Sequence, residues 1–270
     1  MTMNYTLNIR GRLMSLSEPR VMGILNATPD SFFAQSRAQT EQQIALRARQ
    51  IVDEGGAFID VGACSTRPGS TPVGEQEEME RLRLALTIVR REQPQAVVSV
   101  DTFRPAVARM AVEELGADII NDVGSPDEQQ RKDMHRMVAR LGVPYILMAA
   151  QPTLRQTLLA LAGEVQQLRN MGHKDIIIDP GFGFGKTMEQ NYALLNQLEK
   201  LQVLQLPVLV GISRKSMIWR LLDTTPEQAL NGTTALHAVA LMKGASVLRV
   251  HDVREAVECC GLTKQLSAVT

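Results

Sequence analysis

The chain has 270 residues, 44% of them hydrophobic, and its 29 basic and 29 acidic side chains give a formal net charge of zero. A chain of this length can bury a large core without disulfides, and with no concentrated basic stretch it is a poor partner for nucleic acid, whose phosphates demand dense positive charge. No apolar run approaches the roughly 20 residues needed to cross a bilayer, residues 1–10 hold no apolar signal core, and three cysteines without metal-ligand spacing fit a reducing cytoplasm.

In chain order, residues 6–16 come first. Asn8-Ile9-Arg10-Gly11-Arg12-Leu13 reads as a small hairpin, placed to plug the bottom of a barrel built by the rest of the chain. Eight short apolar runs then read as strands, at 21–25, 58–61, 96–100, 118–120, 145–148, 176–178, 208–212 and 247–250. Helical patterns fill the gaps. Thr40-Glu41-Gln42-Gln43 has the form of a capping box, and Ile44, Leu46, Ala48, Ile51 and Val52 come next on one broad apolar face. Further helices are predicted at 75–91, 105–115, 127–141, 154–171, 189–204, 227–243 and 254–266, with Pro105 suited to a first helical turn. Gly55-Gly56, Gly116, Gly142, Gly172 and Gly244 stand between a helix and the next strand, where a left-handed cap is often needed.

Strands alternating with helices predict a parallel α/β architecture. Near-continuous apolar strands fit a sheet covered on both faces. An open doubly wound sheet shares this alternation, but eight units in about 250 residues favour a closed (β/α)8 TIM barrel. The expected organisation is a single domain over 1–270, with a hairpin extension at 1–18 and the barrel at 19–268. Polar residues recur at the strand ends: Asn26, Ser65-Thr66-Arg67, Asp101, Asn121-Asp122, Asp179, Ser213-Arg214-Lys215, and Arg249 with His251. In parallel strands these converge at one mouth, where such barrels keep their active sites.

Four groups carry chemistry. Asp179-Pro180-Gly181-Phe182-Gly183-Phe184-Gly185-Lys186 invites a phosphate-loop reading, but Pro180 stands where that motif needs its first glycine. The glycines instead suit close approach of backbone to a flat ligand and leave room for Phe184. Asp179 can accept two parallel N–H bonds from an amidine-like edge, or it can brace its own loop. In Gly211-Ile212-Ser213-Arg214-Lys215-Ser216 two cations open a helix, where they can bind anions or polarise a carbonyl; a solvated basic turn is the plainer alternative. Arg249 and His251 are two apart and share a face, which makes a paired anion clamp if that face lines the mouth; an arginine and a histidine braced by neighbouring carboxylates are the plainer alternative. Residues 26–32 and 65–69 are polar loops of the kind that act as lids.

Together the strings MGILNATPDSF (22–32), STRPGS (65–70), SVDTFRP (99–105), ADIINDV (117–123), DPGFGFGK (179–186), GISRKSM (211–217), NGTTALHAVAL (231–241) and LRVHDV (248–253) resemble the dihydropteroate synthase family. The resemblance implies a homodimeric (β/α)8 barrel. It implies a transferase of folate biosynthesis that condenses 6-hydroxymethyl-7,8-dihydropterin diphosphate with 4-aminobenzoate, assisted by Mg2+ and blocked by sulfonamides. Carried onto this sequence, it assigns pterin binding to Asp101, Asn121, Met148, Asp179, Gly183, Phe184 and Lys215, and catalysis to Asp101, Lys215, Arg249 and His251. It assigns the diphosphate to Asn26, Thr66, Arg67, Arg249 and His251, with the Asn26 side-chain oxygen near Mg2+. Aminobenzoate falls to Phe32, Thr66, Arg67, Pro68, Phe184, Ser213 and Lys215.

Two segments depart from the family pattern: in the first loop, at Phe33-Ala34-Gln35-Ser36, Ala34 replaces an acid and two glycines are gone, and after the fifth barrel strand Ala149 replaces a histidine. Two other readings share part of the pattern. One is another pterin-binding barrel, such as a methyltetrahydrofolate:corrinoid methyltransferase; the other is a barrel that binds pterin without turnover.

Overall fold

The computed structural model describes residues 4–27, 37–64 and 73–268. An antiparallel hairpin, β1 (Thr6–Ile9) and β2 (Arg12–Ser15), leads into eight parallel strands. These are β3 (Arg20–Asn26), β4 (Phe58–Gly62), β5 (Val97–Asp101), β6 (Ile119–Asp122), β7 (Tyr145–Met148), β8 (Ile176–Asp179), β9 (Leu209–Val210) and β10 (Val247–Val250). Their order is β8-β7-β6-β5-β4-β3-β10-β9, and one bridge between Ile178 and Val208 joins the two edges into a nearly closed barrel.

The helices are α1 (Arg37–Asp53), α2 (Glu75–Glu92), α3 (Pro105–Glu113), α4 (Glu128–Leu141), α5 (Leu154–Asn170), α6 (Met188–Asn196), α7 (Ser216–Trp219), α8 (Leu230–Met242) and α9 (Val253–Ala268), with a 3-10 helix at Leu198–Leu204. Local chemistry sets several boundaries. Asp127 Oδ1 accepts the Gln130 N–H at 2.7 Å and caps α4, and Gly142 ends that helix at φ 66°, a region open to residues without a Cβ. Among the described residues no helix is long and apolar enough to cross a membrane.

Two apolar clusters hold the molecule. The larger lies between the strands and the surrounding helices. The smaller fills the barrel floor, where Leu7, Ile9 and Leu16 of the hairpin region pack on Met22, Phe58, Ile119, Ile146, Ile177, Leu209 and Val247 near the strand starts. The hairpin therefore plugs the bottom. Arg10 fastens it there, because both its Nε (2.5 Å) and Nη2 (2.8 Å) meet the buried carboxylate of Asp118. Arg90 Nη2 and the Val98 N–H, each at 2.8 Å, complete the same anchor.

Several sequence expectations change. Asp118, read as the start of a strand, is this anchor instead, and the strand runs over Ile119–Asp122. The run at 208–212 pairs only over residues 208–210, with the bridge to β8 at Val208 and the ladder to β10 at Leu209–Val210, and it stops there because the chain turns where the Lys215 N–H meets Ile212 O at 3.1 Å. Thr40 does not open its helix; α1 starts at Arg37 and Thr40 is buried within it. The helix expected at 189–204 breaks at Gln197, and Leu198, Leu201 and Leu204 then recur every third residue, the period of a 3-10 helix. The helix expected from 227 begins at Leu230, and the single turn α7 precedes it.

Candidate active site

Strand register builds one row across the mouth. Asn26 pairs with Gly62, Gly62 with Asp101, and Asp101 with Asn121. Farther round, Met148 pairs with Asp179. Asp60 lies two residues below Gly62 on the same face of β4. It is fully buried, yet Arg249 Nε donates to its Oδ2 at 2.6 Å and Asn121 Nδ2 donates to the same atom at 3.1 Å. Arg249 Nη2 donates to Asp101 Oδ2 at 2.7 Å. The cup is thus floored by an arginine held between two carboxylates.

Burial dominates the electrostatics. It pushes Asp101 up to about 7; Arg249 opposes the rise, while Asp60, Glu78 and Asp122 add to it. Burial also raises Asp179, against the pull of Lys215, the Gly181 N–H and Arg249. It brings Lys215 down to about 8, with Asp179 working the other way and Arg249 and Lys186 adding to the fall. For Arg249 burial works against the charge, but Asp60 and Asp101 hold its pKa above the ordinary value.

The loop after β8 forms the opposite wall. Asp179 Oδ1 accepts the Gly181 N–H at 2.7 Å, and a carboxylate so engaged keeps acceptor capacity for a ligand. Lys215 Nζ donates to Phe182 O and lies 4.7 Å from the centre of the Phe184 ring. Gly183 makes room for this lysine, because a Cβ there would sit 2.8 Å from Lys215 Cδ. Asn191 Oδ1 receives the Gly183 N–H at 2.8 Å, and Lys186 Nζ donates to Pro180 O (3.0 Å) and Gly181 O (2.8 Å). The loop is therefore tied down before any ligand arrives.

Sequence reasoning placed Asn26, Asp101, Asn121, Met148, Asp179, Gly183, Phe184, Ser213, Lys215, Arg249 and His251 at or near this mouth, and each belongs to a strand end or to the loop after one. Thr66, Arg67, Phe32, Pro68 and Ala34 lie outside the described residues. The Arg249 guanidinium is shared by Asp60 and Asp101, so carboxylates brace it, while His251 Nδ1 lies 3.1 Å from Ser213 Oγ. One expectation is corrected: Arg214 is not a cation open to anions, since Asp252 chelates it through Nε and Nη2, both at 2.8 Å. The helix expected to add its N-terminal field, α7, is a single turn. Asp60 was missed, although a carboxylate between Ile59 and Val61 in an apolar strand was a signal. Asn191 was missed because nothing local distinguishes it from a surface asparagine.

A parallel barrel with a buried cup of mixed charge at the carboxyl ends of its strands defines a small-molecule enzyme of the (β/α)8 class. The chain belongs to the family of pterin binding enzymes, whose model matches residues 22–251. It is 36% identical to the dihydropteroate synthase of Escherichia coli K12 over 92% of each chain. The dihydropteroate synthase of Xanthomonas albilineans with 4-aminobenzoic acid superposes with a TM-score of 0.88, at 36% identity over 99% of this chain and 100% of that one. The Coxiella burnetii enzyme in complex with pteroic acid gives 0.85, at 34% identity over 98% and 100%.

Proposed function

We propose that this protein is a dihydropteroate synthase, a transferase that joins 6-hydroxymethyl-7,8-dihydropterin diphosphate to 4-aminobenzoate and releases diphosphate. The observation that carries the reading is the cup itself: Asp60, Asp101, Asn121 and Asp179 offer acceptors beside the two cations Lys215 and Arg249. A pterin ring presents an amino group and a ring N–H along one edge, which Asp179 accepts; charge-assisted bonds of this kind contribute about 1.5–3 kcal/mol each. Asn121 reads the ring edge beside it, Met148 packs under it, and Lys215 donates to the ring carbonyl.

The bond between the pterin methylene carbon and the diphosphate oxygen breaks, and its electron pair leaves with the oxygen. Asp101 stabilises the positive charge that develops on the pterin side. The aniline nitrogen then gives its lone pair to that carbon to form the new C–N bond, and the proton it sheds passes to the released diphosphate or to water. Arg249, His251, Asn26, Thr66 and Arg67 serve the departing diphosphate. Phe32, Thr66, Arg67, Pro68, Phe184, Ser213 and Lys215 form the aminobenzoate pocket. The closeness of Phe184 to Lys215 supports that pocket.

The oxygen donors at this end of the barrel fit Mg2+. Asn26 Oδ1 and Asp101 Oδ2 lie 3.7 and 3.8 Å from the position a Cβ on Gly62 would take, so the missing side chain leaves space between oxygens. Mg2+ commonly takes one or two protein oxygens and completes its shell from substrate phosphates and water. Asn26 would hold it, and when bound the ion neutralises charge on the leaving diphosphate.

The reading extends to a homodimer in a reducing cytoplasm. The neighbouring helices α8 and α9 expose Val239, Met242, Leu262 and Leu266, which supports association, and Cys64, Cys259 and Cys260 are free thiols. Sedimentation at micromolar concentration should give twice the chain mass; a monomer would remove the dimer claim alone. The activity is tested by following dihydropteroate and diphosphate together with both substrates and Mg2+. Equimolar release supports the proposal. Pterin binding without product would leave a binding barrel, a reading to which Ala34 and Ala149 give some weight.

A further inference from the structure

The ladder between β9 and β10 ends at Val210 and Leu248, whereas β10 stays paired with β3 as far as Val250. Beyond the ladder the tips of β9 and β10 are joined through side chains. Ser213 Oγ lies 3.1 Å from His251 Nδ1 and accepts the His251 N–H at 3.2 Å. One residue on along each tip, the Arg214 guanidinium meets both oxygens of Asp252. The same guanidinium donates to Pro226 O at 2.8 Å and to Glu227 O. Arg214 also holds a left-handed backbone at φ 53°, with its N–H on Thr233 Oγ1 at 3.0 Å. Glycine takes that conformation without steric penalty and arginine does not. A strained residue held from several sides is a marker of function at or near a site.

The β10 tip has a separate tether. Arg47 of α1 donates to His251 O at 2.6 Å and to Ile24 O at 3.1 Å, which ties it to β3. We propose that Arg214 and Asp252 form a positioning pair that fastens the β9 tip to this fixed β10 tip, and so sets the gap between Lys215 and Ser213 on one side and Arg249 and His251 on the other. Arg214 touches no substrate in this role. The inference rests on the dihydropteroate synthase reading and deepens it, because that gap is where the proposed aminobenzoate and diphosphate sites meet.

The test uses the full chain with Arg214→Gln, Arg214→Gly, Asp252→Asn and the double variant Arg214→Gln/Asp252→Asn. Each single variant should lose about tenfold in kcat/KM for aminobenzoate, and the double variant should lose no more than either, since one strap is cut in every case. Affinity for a 6-hydroxymethyl pterin lacking the diphosphate should fall by less than kcat/KM does, because Asn121 of β6 and Asp179 of β8 still hold the ring and only Lys215 lies on the loosened turn. Amide exchange at Arg214 and Lys215 should quicken at least tenfold in every variant, while the β10–β3 ladder stays protected. Additive losses, or a wild-type Asp252→Asn beside a damaged Arg214→Gln, would mean that Arg214 acts otherwise than through Asp252 and would overturn the proposal. A fully active Arg214→Gly would also overturn it, by showing that the backbone conformation alone matters. Absence of product from the wild-type chain would defeat the functional reading instead, and amide exchange would still decide the strap.

Discussion

Asp60 and Arg249 are the pair of side chains on which the cup depends. Removing one partner of a buried ion group costs about 3–5 kcal/mol, because the other charge is left uncompensated. Asp60 also helps to raise Asp101, so Asp60→Asn should lower the Asp101 pKa. Burial raises the Asp101 pKa and lowers that of Lys215. Turnover should therefore rise as Asp101 loses its proton and fall as Lys215 loses its own, giving a bell-shaped profile. In Asp60→Asn the lower limb should move towards acid while the upper limb stays; an unmoved lower limb in a kcat/KM profile would reject the role given to Asp101. Asp179→Ala should weaken pterin affinity at least a hundredfold by calorimetry, and unchanged affinity would count against the ring site. Asp179, Asn121 and Lys215 were legible because each stands at a strand end or in the loop after one, within a recognisable string. For Asp60 the lone carboxylate in an apolar strand was the only signal, since its partners come from β6 and β10. The engagement of Arg214 with Asp252 was equally hidden, because a cation beside Lys215 looks the same in sequence whether it is open or chelated.

At the scale of elements, the hairpin and the glycine-rich loop play opposite parts. The hairpin closes the floor through Leu7, Ile9 and Leu16, far along the strands from the chemistry. Leu7→Ala should destabilise the fold by about 2–5 kcal/mol, read from urea unfolding, with KM for both substrates within twofold of wild type. A large change in KM would mean that floor and mouth are coupled. The strands were legible because parallel strands buried on both faces are runs of apolar residues that few other structures tolerate. Their ends were less so. The shortness of β9 depends on a turn at 212–215, and the break in α6 depends on which leucines find the core; both are tertiary outcomes. The hairpin was legible from Arg10-Gly11, and the structure puts both residues at positive φ.

For the whole molecule, closure of the barrel is uneven. Seven interfaces are ladders of two or more paired residues, while β8 and β9 share the single Ile178–Val208 bridge and one bond from the Ile178 N–H to Pro207 O at 2.9 Å. Exchange measured along the strands should therefore be fastest at this interface and slowest in β3–β5. Uniform protection around the barrel would contradict the unevenness.

Asp179 and the turn bearing Lys215 stand on either side of that weakest interface. A bicyclic guest gripped by both would act as a rivet across the slit, supplying from outside the fastening that the polypeptide omits there. At a hundredfold excess over its Kd, such a guest adds about 2.7 kcal/mol to the folded state. The protection it confers should be concentrated at the slit itself.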